Sequence, residues 1–505
     1  MAFLLGIDVG TSGAKALIMD ENGAVQSVHT EHYPLSTPEP LWSEQDPEHW
    51  WEATCACCRA VLAQSEVAPA DIRAVGLTGQ MHGLVLLDKN DEVLRPAILW
   101  NDQRTESQCR DMIARFGVDD LLDLTANPVL PGFTAPKILW VREQEPEIYE
   151  RIKHFLLPKD YLRFRLTGEF ATEVSDASGT SLFDVQAREW SETLFHALDI
   201  PLAWAPVCAE STLLTGQVSR EAAAATGLAP GTVVVGGAGD QAAQALGSGL
   251  SQEGLVSATL GTSGVVFAPT SDPLIDNEGR LHAFCHANPG MWHVMGVMLS
   301  AGGSLRWFRD ALGDEEMRAE VIGGKSGYDR LAEEAAGIEI GSEGLYFLPY
   351  LIGERTPHPD PHARACFIGL TLRHGRAHMA RAVFEGVTFG MRDSLELIRD
   401  LGIEPAQIRV SGGGAKSAFW RQMLADVFST EIAQVNVTEG AAFGAALLAG
   451  VGAGIYSDVD SACDLIVRVV DTLSPDLERA ARYEDHYERF GKLYPALQSH
   501  FRKRY

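Results

Sequence analysis

The chain lacks any apolar run approaching the about 18 to 20 residues that cross a bilayer, so no membrane span is expected. Positive charge is scarce: 41 Lys plus Arg stand against 68 Asp plus Glu, a net charge of −27. That balance argues against nucleic acid or an anionic membrane as partner, and an anionic ligand would need local donors or a metal. No secretory signal is expected, because Phe3-Leu4-Leu5 is broken at once by Gly6 and Asp8 with no basic residue before it. The eight cysteines are scattered apart from Cys55, Cys57 and Cys58, and no Cys/His pair elsewhere has metal-ligand spacing. They read as buried thiols in a reducing cytoplasm. Neither G-x-S-x-G nor H-E-x-x-H occurs, which lowers serine-hydrolase and zinc-protease readings. Gly324-Lys325-Ser326 has the tail of a phosphate-binding loop, but Ala319 stands where its first glycine belongs, so that reading is discarded.

What is present is globular: 46% hydrophobic and 22% charged residues over 505 positions, too many for one hydrophobic core. Two or more domains are expected. The stretch that organises the rest is Thr232-Val233-Val234-Val235, followed by Gly236-Gly237-Ala238-Gly239, Asp240 and a helical Gln241-Ala242-Ala243-Gln244-Ala245-Leu246. β-Branched residues sustain a strand, glycines let the backbone leave it tightly, and Asp240 sits where strand meets helix. A carboxylate there either caps the helix or projects into a cleft at the strand's carboxyl end. Gly237-Ala238-Gly239-Asp240-Gln241-Ala242 also fits G-x-G-x-x-A, a dinucleotide fingerprint, yet the next strand ends without the acid that would hold a ribose.

That next strand runs instead into Gly261-Thr262-Ser263-Gly264, the tetrapeptide already met as Gly10-Thr11-Ser12-Gly13. Each copy joins two apolar runs and opens one half of the chain, which points to internal duplication. Residues 3–9, 13–20 and 24–33 read as an antiparallel meander, and residues 254–260, 264–268, 281–286 and 291–297 as its counterpart before a helix over 303–312. Asp8 ends the first strand, either as a turn residue reaching backbone N–H groups or as part of a charged site with a cation. Two further buried strands, over 72–77 and 97–100, end in polar clusters: Gln80-Met81-His82 between Gly79 and Gly83, and Asn101-Asp102 after Trp100. These are candidates for one pocket, although His82 alone reads as ordinary loop polarity. Helices are expected over 48–63, 137–140, 149–155 and 159–166, and loop with short strands over 168–184. Later, the strand 408–410 leads through Gly412-Gly413-Gly414 into a helix over 417–428, a turn that either admits a flat or anionic ligand or is merely tight. Gly440, Gly444 and the alanines beside them suit close helix packing.

Together, Gly6-Ile7-Asp8-Val9-Gly10-Thr11-Ser12-Gly13, its partner at 261–264, the glycine turn before Asp240 and the Gly412-Gly413-Gly414 turn resemble the FGGY carbohydrate kinases, from the first strand to about residue 450. Trp42-Ser43-Glu44-Gln45-Asp46-Pro47, Gly79-Gln80-Met81-His82-Gly83, Ile98-Leu99-Trp100-Asn101-Asp102, Pro131-Gly132-Phe133-Thr134-Ala135-Pro136-Lys137 and Leu157-Pro158-Lys159-Asp160-Tyr161 are similar to its xylulose-phosphorylating members. The resemblance implies an α/β fold of two ribonuclease-H/actin-like domains flanking a deep cleft, 1–247 binding sugar and 248–505 nucleotide. It implies ATP-dependent phosphorylation of D-xylulose at its terminal hydroxyl, with Asp240 as base, Asp8 organising the phosphates, and both carboxylates meeting Mg²⁺. Met81 and His82 match the sugar-binding pair, with Gln80, Trp100, Asn101, Asp102 and Gln241 beside it. Thr11, Ser12 and Lys15 match the first phosphate-facing turn and Gly261 and Thr262 the second; Gly302 matches a nucleotide contact and Gly413-Gly414 the adenosine turn. Ala238-Gly239 and Gln241 stand where related sequences often show Gly-Gly and Asn, which bears on the choice of ketose. The competing expectations are a kinase of another ketose or polyol such as ribulose, an actin-like ATPase, and a dehydrogenase. A homodimer is allowed but not required.

Overall fold

The computed structural model describes residues 2–313 and 325–501; Gly324 of the discarded phosphate-loop tail lies outside them. Its first sheet is built from β1 (Phe3–Val9), β2 (Gly13–Asp20), β3 (Val25–His32), β4 (Ile72–Gly79), β5 (Leu214–Gln217), β6 (Val233–Val235) and β7 (Ala238–Gly239). Its second is built from β8 (Leu255–Leu260), β9 (Gly264–Thr270), β10 (His282–Cys285), β11 (Trp292–Met298), β12 (Gln407–Ser411), β13 (Ile432–Val435) and β14 (Val469–Leu473). The helices that matter here are α1 (Pro47–Ser65), α2 (Asp240–Gly247), α3 (Gly302–Leu312), α4 (Arg376–Asp400), α5 (Ala418–Phe428) and α6 (Gly440–Gly452).

Strand order runs β3-β2-β1-β4-β6-β5 in the first sheet, with β7 on β4, and β10-β11-β9-β8-β12-β13-β14 in the second. In each, an antiparallel meander is continued by two parallel strands and closed by an antiparallel edge. The duplication suggested by two tetrapeptides therefore extends through both sheets, as the actin-like arrangement requires. The copies differ by one residue at the turn: Val9 faces Ala14, whereas Leu260 faces Gly264.

Alternation along β1 decides what covers the first sheet. Leu5, Ile7 and Val9 face one core with Trp50, Cys57 and Cys58 of α1, while Leu4 faces another with Ala242 and Leu246 of α2 and Ala442 and Ala446 of α6. Asp46 caps α1 by accepting from Glu48 N, with Pro47 at the first helical position. The α6 helix, late in the chain, thus lies on the first sheet. It can do so because glycines leave room: a Cβ on Gly6 would stand 1.9 Å from Ala442 O, on Gly76 1.8 Å from Ala445 O, and on Gly444 1.9 Å from Ala243 O. The close packing expected of residues 440–446 is met, but against the opposite half. The second sheet packs Val256, Ala258 and Leu260 on Phe384, Val387 and Met391 of α4.

Two expectations need correction. Residues 149–155 are not a helix: Pro146–Tyr149 forms a single turn, and His154–Leu156 is a strand paired with Val85–Leu87. Pro158 opens the next helix and holds Leu157 extended (φ −85°, ψ 165°), so the apolar run before it is drawn straight. The strand expected over 97–100 stops at Ile98, because a turn through Trp100 and Asn101, closed by Asp102 N to Leu99 O (3.3 Å), follows at once.

Candidate active site

The parallel strands β1, β4 and β7 deliver Asp8, Gln80-Met81-His82 and Asp240 to one edge. Asp8 lies opposite Thr78 on one side of β4, and Ala238 lies opposite the same Thr78 on the other. Two strand spacings of about 4.8 Å put positions 8 and 238 about 10 Å apart, with Asp240 two residues further along. Asp8, His82, Asp240 and Gln241 are all half-buried. Burial, and next the charge of Asp240, raises the Asp8 carboxyl to about 7 against the pull of Lys15. Burial raises Asp240 to about 6, while the N–H groups of Gln241 pull it down. Asp240 is the first residue of α2, after Gly239 at the cap position, and its carboxylate meets first-turn N–H groups while also lying close enough to raise the Asp8 carboxyl, so both uses open to it in the sequence apply.

Asp8 Oδ1 is buried without a hydrogen-bond partner. An orphaned carboxylate oxygen beside a second carboxylate is a donor set that fits a hard divalent cation, which takes one or two carboxylates and leaves its other positions to phosphates and water. Among the described residues no group of three or more His, Cys, Asp or Glu side chains could hold a metal by itself.

The first tetrapeptide closes through Gly10 N to Gly13 O and is held from outside: Tyr33 OH donates to Gly10 O, and Gln45 Nε2 to Thr11 O (2.7 Å). Gln80, almost fully buried, belongs to this support. Its Oε1 accepts from Thr11 Oγ1 (3.2 Å), and its Nε2 donates to Gln45 Oε1 (3.1 Å). Trp100 stays 39% exposed and donates from Nε1 to Thr11 Oγ1 (2.9 Å), tying the expected sugar side to the expected phosphate side. Ser12 is exposed, and Lys15 pairs across to Glu439, the residue before α6, at 3.2 Å.

Met81 packs beneath the Asp240 turn, where a Cβ on Gly239 would meet its Sδ at 3.0 Å. His82 adopts φ +67°, costly for a side-chain-bearing residue. Its carbonyl accepts from Thr134 Oγ1 (3.1 Å) and from the buried Lys137 Nζ (2.8 Å), and its Nδ1 meets Gly179 O at 2.6 Å. Burial lowers the imidazole to about 3, so it is neutral, and it stacks on Phe133 at 4.4 Å. Phe133 and His82 in turn contact His282 and Phe284 of the other half. Asn101 Oδ1 is buried without a partner beside a 450 Å³ recess that residues 37–43 and Gln103 complete. Asp102 departs from the expected sugar contact. It is fully buried, and its oxygens accept from Ser43 N and from the Arg104 guanidinium, which leaves none for a ligand.

The second half supplies a cavity of 460 Å³ lined by Gly261, Thr262, Gly302, Gly413 and Gly414, all five nucleotide candidates on that side. Gly302 N bonds Gly261 O and Gly303 N bonds Thr262 O, stapling the second tetrapeptide to the start of α3. A Cβ on Gly413 would meet nothing within 4 Å. Sequence reasoning missed Arg306, Tyr328, Lys416 and Trp420 on the same walls. Arg306 and Tyr328 come from separate segments with no local pattern, whereas Lys416 and Trp420 directly follow the Gly413-Gly414 turn.

The family models for carbohydrate kinases of the FGGY type match both halves, the N-terminal domain over residues 3–247 and the C-terminal domain over residues 256–453. The chain belongs to the FGGY family of carbohydrate kinases. Within that family it is 43% identical to xylulose kinase of Escherichia coli strain K12 over 496 residues, 98% of this chain and 99% of that one. It superposes on a xyloylose kinase from Brucella ovis with a TM-score of 0.90 at 38% identity, covering 98% and 99% of the two chains. A gluconate kinase from Lactobacillus acidophilus superposes equally well, with a TM-score of 0.92 at 27% identity over 98% of each chain. The FGGY fold is therefore shared by kinases of different sugars. Among the described residues no helix is long and apolar enough to cross a membrane.

Proposed function

We propose that this FGGY kinase transfers the γ-phosphoryl group of ATP to the terminal hydroxyl of D-xylulose. The observation that carries the reading is the placing of two half-buried carboxylates, Asp8 and Asp240, at the ends of the two strands that flank β4, beside the Met81-His82 turn. The 43% identity to a xylulose kinase supports the choice of sugar. Residues 1–247 hold the sugar side and 248–505 the nucleotide side, with α6 shared between them.

Asp240 takes the hydroxyl proton as that oxygen attacks phosphorus, and the bond to the β-phosphate breaks with its electron pair leaving on ADP. General-base help of this kind contributes on the order of 10² to 10⁴ in rate. Met81, His82, Trp100, Asn101 and Gln241 orient the sugar, while Gln80 and Asp102 act from beneath by holding the loops that present them. N–H groups of the turns at Thr11-Ser12 and Gly261-Thr262, together with Lys15, meet the phosphates, and Gly302, Gly413 and Gly414 hold the nucleoside end. Asp8 and Asp240 would hold Mg²⁺, which when bound neutralises phosphate charge that so acidic a chain could not otherwise tolerate. Eight unpaired thiols, six of them buried, suit work in the reducing cytoplasm.

A panel of ketoses, polyols and gluconate with MgATP, read as ADP release, tests the proposal. D-xylulose is expected to give the highest kcat/KM; a higher value with D-ribulose or gluconate would move the assignment to that sugar. Rapid hydrolysis with no sugar would favour an actin-like ATPase.

A further inference from the structure

Behind the turn that presents Asp240 lies a wholly buried ionic cluster: Lys159, Asp160, Arg163, Glu173, Ser175 and Asp176 each show 0% exposure. Lys159 Nζ reaches Asp160 Oδ1 at 2.7 Å, Asp176 Oδ2 at 3.0 Å and Glu173 Oε1 at 3.4 Å. Removing five ionisable groups from water is costly, and apolar residues would fill such a space at lower cost. The cluster's outward bonds show what it holds. Arg163 donates to Val235 O at 2.6 Å and to Gly236 O, the last residue of β6 and the first of the glycine turn. Ser175 Oγ accepts from Gly239 N at 3.0 Å, immediately before Asp240. Glu173 leaves that hydroxyl little choice: its carboxylate accepts from Ser175 N (2.7 Å), Ser175 Oγ (3.0 Å) and Asp176 N (2.9 Å). With its proton engaged there, the hydroxyl is fixed as an acceptor toward Gly239.

We propose that Ser175, oriented by Glu173 and Lys159, is a positioning residue that fixes the Asp240 carboxylate through the Gly239 amide. The inference rests on Asp240 being the base of the proposed sugar kinase. The buried charges act through hydrogen-bond geometry and touch neither sugar nor nucleotide. Rigid electrostatic support of this sort matters because an error of about 1 Å in a reacting group costs on the order of 10²-fold in rate.

Ser211 provides the control. Its Oγ donates to the same Glu173 carboxylate at 2.9 Å, but its side chain makes no bond to the Asp240 turn. Ser175→Ala is expected to lower sugar-dependent kcat by about ten- to a hundredfold, with KM for sugar and for ATP within about threefold of wild type. Ser211→Ala is expected to keep kcat within about threefold at a similar loss of melting temperature. Ser175→Cys, whose thiol is a weak acceptor, is read in the same way if Ser175→Ala does not fold. Hydrogen exchange at the Gly239 amide reads the clamp without reference to turnover, and it should quicken in the Ser175 variants and not in Ser211→Ala. Unchanged exchange at Gly239 in the Ser175 variants, unchanged kcat, or an equal kcat loss in Ser211→Ala would overturn the proposal. Failure of wild-type protein to release ADP with any sugar counts against the kinase reading, whereas the exchange result judges the clamp separately.

Discussion

A sugar hydroxyl gives up its proton only as the new phosphorus–oxygen bond forms, so the group that takes it must already be in place. Asp240→Asn keeps the size and hydrogen-bonding edge of the side chain but removes its basicity. Turnover with sugar is expected to fall at least about 10²-fold while ATP binding and melting temperature stay near wild type, and a steady-state assay beside nucleotide titration checks both. Asp393 yields a prediction about stability. Its carboxyl accepts from Tyr487 OH at 2.7 Å, and burial raises it to about 7 despite the opposing pull of that bond and of Arg392. Between pH about 4 and about 7 the folded chain keeps this proton where the unfolded chain has lost it. The group's contribution is therefore fully favourable below about 4 and is lost as pH rises to about 7. Asp393→Asn can still accept from Tyr487, and its melting temperature should change less between pH 5 and pH 8 than that of wild type. Superimposable profiles would show that Asp393 is not the group responsible. The strand-end positions of Asp8, Asp240 and the Met81-His82 pair were legible in the sequence because glycines flank Asp8 and the pair and a glycine turn precedes Asp240, while the roles expected of them came from the family resemblance. Ser175 was not, since its partner Gly239 lies 64 residues away, and Asp102 misled because nothing local tells a buried partner of Arg104 from a cleft residue.

At the scale of elements, two glycines of the second half separate packing from proposed binding. Gly444→Ala would drive a methyl group toward Ala243 O between α6 and α2, and it should cost about 1 to 3 kcal/mol in denaturant unfolding. Gly413→Ala meets open space at φ −62°, a backbone angle any residue adopts, so unfolding should be unchanged. The added methyl projects where Gly413 lines the 460 Å³ cavity, and KM for ATP should rise about tenfold or more. If Gly413→Ala binds ATP normally, that wall is not the nucleotide's. Most strands were legible for a plain reason: runs such as Val233-Val234-Val235 are β-branched and bounded by glycine. The 149–155 error arose because Phe155 and Leu156 suit either element, and only the proline two residues on and the partner strand Val85–Leu87 decide between them.

For the molecule as a whole, the two halves meet at the Lys15–Glu439 pair, at the rings of His82, Phe133, His282 and Phe284, through α6 packed on the first sheet, and through bonds such as Asn127 Nδ2 to Ala283 O (2.6 Å) and Trp292 Nε1 to Val185 O (2.7 Å). In the proposed kinase, closure over both substrates would exclude water from the phosphoryl group. Small-angle scattering should therefore show a smaller radius of gyration with sugar and a non-hydrolysable ATP analogue together than with neither, and ATP hydrolysis without sugar should be slow. An unchanged radius would remove closure from the scheme. The α6 helix has a further consequence. Because residues 440–452 roof a sheet made by residues 3–79 and 214–239, a proteolytic nick after residue 247 would not release two self-sufficient fragments. The leading piece would be left with Leu4, Leu17 and Ala74 bared to solvent, and regaining a native surface would require it to recapture the tail of the other.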